Sequence, residues 1–166
     1  MMRTMIRLVR RLRDDLAGSM LVETAFVVPA LAAMALAGVE VSNMIIRQHE
    51  LQAMASNAAE IVINADPNGD AELVELVGAV RNWLSSASGL SKTWAAGGSD
   101  QMEVVRVVRC GNSTELKVFG TACPIGSAKA IYIRIRMVED YEPFWGETLD
   151  IGQSSRFRVE RLIRIG

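Results

Sequence analysis

The side chains able to do chemistry are few and far apart. Cys110, Cys123 and the lone His49 are the only thiol or imidazole groups in 166 residues. Three such groups fall short of the four ligands usual in a structural zinc site, so no metal is expected. The cysteines admit two chemistries: a disulfide between them, or a nucleophilic thiol for which His49 is the only available imidazole base. His49 itself reads as a solvated surface residue. Gly97-Gly98 and Gly111 are not followed by the Gly-Lys-Ser/Thr of a phosphate loop. Glu139, Asp140, Glu142, Glu147 and Asp150 form an acidic cluster without the ligand spacing of an EF-hand, and read as a solvated loop. Neighbouring Phe144 and Trp145 read as a contact patch or as ordinary core. No catalytic residue and no cofactor is assigned, and the chain reads as non-enzymatic. The carboxylate in the most unusual setting is Glu23, at the start of a long apolar run.

That run dominates the N-terminal part. Sixteen residues, Thr24 to Val39, carry no charge. Counted from Ser19 to Val39 the stretch has 21 residues, which as a helix is about 31 Å long. A hydrocarbon core is about 30 Å thick, so the segment can span a bilayer. Arg3, Arg7, Arg10, Arg11 and Arg13 precede it against Asp14 and Asp15, a local charge of +3. Residues 19–166 hold 13 basic and 17 acidic residues. The acidic bulk excludes a general nucleic-acid binder, whose basic surface would lie on the folded domain. The basic flank belongs on the cytoplasmic side, with the C-terminal bulk outside. Half the residues are hydrophobic and net charge is only −1, which excludes disorder. An ordinary secretory signal has its small-residue cleavage site after the apolar run. Here the small pair Gly18-Ser19 stands before it.

Gly18, Ser19 and a carboxylate four residues later, followed by a hydrophobic helix, have the layout of a class III prepilin signal. The string Gly18-Ser19-Met20-Leu21-Val22-Glu23-Thr24-Ala25-Phe26-Val27-Val28-Pro29, with Gly38-Val39-Glu40 beyond, resembles the opening of TadE/TadG-like proteins. These are minor pilins or pseudopilins of the bacterial tight-adherence (Tad) pilus, a type IV-related system. The resemblance covers roughly residues 10–60; further on only the general plan agrees, including Tyr141-Glu142-Pro143-Phe144 and a basic C-terminal strand. It implies cleavage between Gly18 and Ser19 by a prepilin peptidase, an assembly role for Glu23, and partners among other pilins and the Tad assembly machinery. It places the chain in the inner membrane as a single-pass protein, in contact with lipid and open to incorporation in a pilus. Thr24 departs from the Tyr or Phe that often follows the glutamate in processed members. A signal-anchored periplasmic enzyme or ligand-binding protein outside any filament is the alternative.

The elements that must position these residues follow from periodicity. Pro29 stands inside the proposed helix, where a missing N–H and a ring clash predict a kink near residues 25–29. Ala30, Ala33, Ala37, Gly38 and Ser42 offer small surfaces for helix–helix approach in lipid. Met44, Leu51, Met54, Ala58 and Ile61 then recur at helical spacing, predicting an amphipathic stem that ends in the turn cluster 64–69. A second helix has Asp70 as its N-cap and Leu73, Leu76, Val77, Val80 and Leu84 on one face, followed by a loop from Ser85 to Asp100. Strands are predicted over Met102–Arg109, Glu115–Phe119, Ala130–Val138 and Arg156–Ile165. The expected fold is α+β and pilin-like: a long membrane-spanning helix continuing as a stem, a second helix, then a small antiparallel sheet. Its parts are a basic leader (1–18), a transmembrane helix (19–46) and a periplasmic α+β domain (47–166). In an oxidising periplasm, pairing of Cys110 with Cys123 is favoured over free thiols.

Overall fold

The computed structural model describes residues 16–65, 67, 69–143 and 155–165, with side chains from Met20 onward. Two helices precede four strands: α1 (Leu16–Ala65), α2 (Asp70–Ser88), β1 (Gln101–Cys110), β2 (Lys117–Val118), β3 (Lys129–Tyr141) and β4 (Ser155–Ile165). The sheet runs in the order β2-β1-β3-β4 with every neighbouring pair antiparallel. The architecture is α+β: a long apolar N-terminal helix, a second helix and a small antiparallel sheet. Internal contacts divide the chain into two units, residues 1–43 and 44–166.

In the first unit, α1 is made mostly of Ala, Val, Leu and Met, and every residue from Met20 to Val39 is exposed. The large apolar side chains of this stretch range from 42% exposed at Leu36 to 76% at Phe26. Such a continuous apolar surface has no place in water and marks a membrane or protein contact. By length and composition α1 can cross a bilayer, as the uncharged run predicts. The helix continues unbroken through Pro29.

In the second unit the remainder of α1 packs with α2 on one face of the sheet. Leu51, Ala55, Ala58 and Val62 of α1 meet Leu73, Val77, Val80 and Leu84 of α2 over Met102, Val104, Ile133, Ile135, Met137, Val159 and Ile163. The stem therefore buries a face rotated slightly from the predicted one: Ala55 and Val62 enter the core, while Ile61 stays 41% exposed. Sequence periodicity gives a stripe about 100° wide, and only the position of the sheet selects which edge of it is covered.

Two helix ends differ from expectation. Asp70 is the first helical residue rather than the cap; Gly69 occupies the cap position with no side-chain bond. The Asp70 carboxylate instead accepts from Arg106 of β1 at 3.2 Å. Helix α2 also extends through Ser88 into the predicted loop. Ser88 Oγ donates to Leu84 O at 2.7 Å and Ser85 Oγ to Leu90 O at 2.8 Å, so these hydroxyls stay satisfied around the last turn. The stop is Gly89, at φ 77°, whose N–H bonds Ser85 O. That left-handed conformation favours glycine over any residue with a Cβ.

Candidate functional site

Gly18, Ser19 and Glu23 all fall in the opening turns of α1. Residues four apart on a helix share a face, so Glu23 lies one turn from Ser19 on the same side. Glu23 is exposed, and among the described residues it has neither an ion pair nor a hydrogen bond. The other polar groups of this segment are handled differently. Thr24 Oγ1 donates to Met20 O at 2.7 Å, and Ser42 Oγ donates to Gly38 O at 2.9 Å. Each hydroxyl is absorbed by the helix's own backbone, which suits a lipid environment. A carboxylate accepts only and finds no N–H to accept along a helix whose amides are already bonded. Glu23 is thus the polar side chain of residues 20–39 that makes no hydrogen bond among the described residues. The small residues Ala30, Ala33, Ala37 and Gly38 are exposed as well, and nothing lies within 4 Å of a Cβ built on Gly38.

In the second unit the sequence-predicted groups separate into structural roles. Cys110, the last residue of β1, is bonded to Cys123, with Cα atoms 5.5 Å apart. Neither sulfur is therefore a free nucleophile, and His49 is exposed on α1. The acidic cluster is partly consumed by pairing. Arg47 Nε and Nη2 donate to the two carboxylate oxygens of Glu139 at 2.8 and 2.9 Å. Arg156 holds Asp140 in the same bidentate way, at 2.6 and 2.8 Å. Hydrogen bonding to Arg156, assisted by its charge and opposed by desolvation, pulls the Asp140 carboxyl below its ordinary value of 3.8. Glu147, Asp150, Phe144 and Trp145 lie outside the described residues. Among the described residues no three His, Cys, Asp or Glu side chains group so as to hold a metal.

Arg47 is the residue that sequence reasoning undervalued. It reads as one more polar position on the stem, yet its Nη2 also donates to Ser88 O at 2.9 Å, and Nη1 reaches Glu50 at 3.1 Å. One guanidinium thus ties α1 to the C-terminal carbonyl of α2 and to β3. The Glu139 bond, more than the burial that opposes it, raises the Arg47 pKa further above its already high value. Nothing local signals the role, because Glu139 is 92 positions away.

The family model described as TadE-like protein matches residues 18–60. That segment begins at Gly18 and covers the exposed apolar part of α1 and most of the stem. No curated protein and no solved structure matches the chain.

Proposed function

From the TadE-like character of residues 18–60, we propose that the protein is a membrane-anchored minor pilin or pseudopilin that takes part in assembly of a Tad pilus. The observation that carries this reading is the coincidence of that match with an exposed apolar stretch, residues 20–39 of α1, whose single carboxylate, Glu23, has no partner among the described residues. Residues 19–46 form the transmembrane helix, bent at Pro29, and the arginines of the leader hold residues 1–18 on the cytoplasmic side of the inner membrane. Residues 47–166 then form the periplasmic domain, where oxidising conditions maintain the Cys110–Cys123 bond.

Assembly proceeds by association rather than by chemistry on a substrate. A prepilin peptidase hydrolyses the bond between Gly18 and Ser19, where a glycine leaves the backbone open to the protease. The new Ser19 amine has an unperturbed pKa of about 7.7–8.0 and is largely protonated at neutral pH. A carboxylate costs about 2.5–3.5 kcal/mol at the bilayer centre and less toward the interface. Pairing Glu23 with the Ser19 amine of a neighbouring subunit offsets that cost and sets the axial register between adjacent helices. Small residues such as Ala30, Ala33 and Ala37 let those helices approach closely. The test is N-terminal mass spectrometry of the protein isolated from its native membrane. A chain starting at Ser19 is expected; a chain starting at Met1 or Met2 while pili form normally overturns the processing step.

A further inference from the structure

The first turns of the stem are attached to the second unit differently from the turns that follow. That unit begins at Met44. From Leu51 onward α1 is sealed in place by Leu51, Ala55, Ala58 and Val62, none of which has any exposed area. Between Met44 and Glu50, by contrast, Ile45, Ile46, Gln48, His49 and Glu50 are all exposed. Met44 packs only partly against the core. The remaining attachment of this segment, among the described residues, is Arg47.

Both partners of that guanidinium depend on it. The Glu139 carboxylate, forked at 2.8 and 2.9 Å, has no other ion pair or hydrogen bond among the described residues. Ser88 is the last residue of α2, where carbonyls have no amide of their own helix to accept from. Arg47 Nη2 supplies one at 2.9 Å, and its charge complements the negative end of the helix dipole. Yet the contact is not sealed. The Arg47 and Glu139 side chains keep 27% and 13% exposure, and ion pairs that solvent reaches are worth much less than buried geometry suggests. Local openings are cheapest where few buried contacts must break, and residues 44–50 have few.

We propose that Arg47 is a releasable latch, which when closed holds residues 44–50 against α2 and β3 and when open lets them swing away as a helical arm. The core from Leu51 onward stays intact in both states. An arm of this length is about 10 Å as a helix, so release changes how much of α1 is fixed to the sheet. Glu50, which already accepts from Arg47 Nη1 at 3.1 Å, travels with the arm and keeps a partner beside the freed guanidinium. Opening therefore does not strand the charge of Arg47; the group left alone is Glu139, which favours the closed state. The inference goes beyond the pilin reading and does not depend on it: cleavage at Gly18 and movement of the arm are read by separate measurements.

The test uses the full chain in detergent with nitroxide labels at His49→Cys on the arm and Ala79→Cys on α2, both exposed positions. Double electron–electron resonance then reads the distance between them. With Arg47 intact at low salt, one narrow distance is expected. Rising salt should bring out a second, longer component, because the pair is screened. Arg47→Gln should show that longer component at low salt, with near-ultraviolet circular dichroism unchanged. Glu139→Gln should show less of it, since the bond to Ser88 O remains. The exchanged pair, Arg47→Glu with Glu139→Arg, should restore most of the narrow distance. A distance unchanged by Arg47→Gln overturns the proposal, and so does a parent chain that shows no response to salt. Loss of the near-ultraviolet signal in both single variants also overturns it, by making the contact a strut of the core. An exchanged pair as broad as Arg47→Gln does so too, by showing that charge pairing is not what holds the arm.

Discussion

At the scale of single residues, two carboxylates show how environment decides role. Glu23 stands in an apolar segment with no described partner, whereas Asp140 is clasped by Arg156 at the end of a β-ladder. For Glu23 the consequence is intermolecular. Glu23→Ala should leave cleavage after Gly18 intact but abolish co-purification with partner pilins and formation of the pilus. Glu23→Asp, with the same charge and shorter reach, should be intermediate. Gly18→Phe should instead block cleavage and leave a product longer by the leader, which mass spectrometry distinguishes. Glu23→Ala with normal pili would remove the pairing role. For Asp140 the consequence is pH dependence. Its folded pKa is depressed below 3.8, so the stabilisation is present above that pH and is lost as pH falls through the folded value. Between pH 4 and pH 3 the wild-type denaturation midpoint should fall more steeply than that of Asp140→Asn. Parallel curves would show that the Arg156 pair adds nothing to stability.

At the scale of elements, α1 carries two surfaces with opposite requirements. From Met20 to Val39 its apolar side chains are all exposed, and from Leu51 to Val62 a narrow stripe is sealed in the core. The boundary of that stripe is testable. Leu51→Ala removes a side chain with no exposed area and should cost about 2–5 kcal/mol in urea denaturation of the full chain in detergent. Ile61→Ala, on the edge that the sheet leaves open, should cost less than about 1 kcal/mol. Equal losses would mean that the stem buries the other edge. Helix α2 shows a related effect at its end: Ser85 and Ser88 read as loop formers, yet they bond around the final turn, and Gly89, directly after Ser88, terminates the helix.

At the scale of the whole molecule, covalent linkage and topology act together. The Cys110–Cys123 bond spans a sequence separation of 13, for which loop-entropy models give about 3 kcal/mol. Cys110→Ser should lower stability by about that amount in non-reducing denaturation, and the wild-type thiols should resist alkylation until a reductant is added. Ready alkylation without reductant would place the domain in a reducing compartment or leave the bond unformed. A reporter fused after Gly166 should be active only when it requires the periplasm. Activity confined to the cytoplasm would invert the proposed orientation.

The division between sequence and tertiary structure follows from the range of the interactions. Uncharged length makes α1 legible from Thr24 to Val39, and dense turn residues near 64–69 mark its end. Alternating β-branched residues likewise announce all four strands to within a few positions, because period 2 is a local property. The Gly18, Ser19 and Glu23 pattern is also local and was readable without coordinates. What the sequence alone left open was every choice made by a distant surface. The edge of the stem that enters the core depends on where the sheet lies. Asp70 turns from cap to salt-bridge partner because Arg106 reaches it from β1. Arg47 becomes a three-element tie only once Ser88 and Glu139 are brought beside it. Trp94 comes to lie beside Arg136 of β3 only through the fold of the loop that Gln101 holds in place. Local periodicity encodes which faces are apolar; the energy of burying or pairing a given side chain is settled only by neighbours tens of residues away.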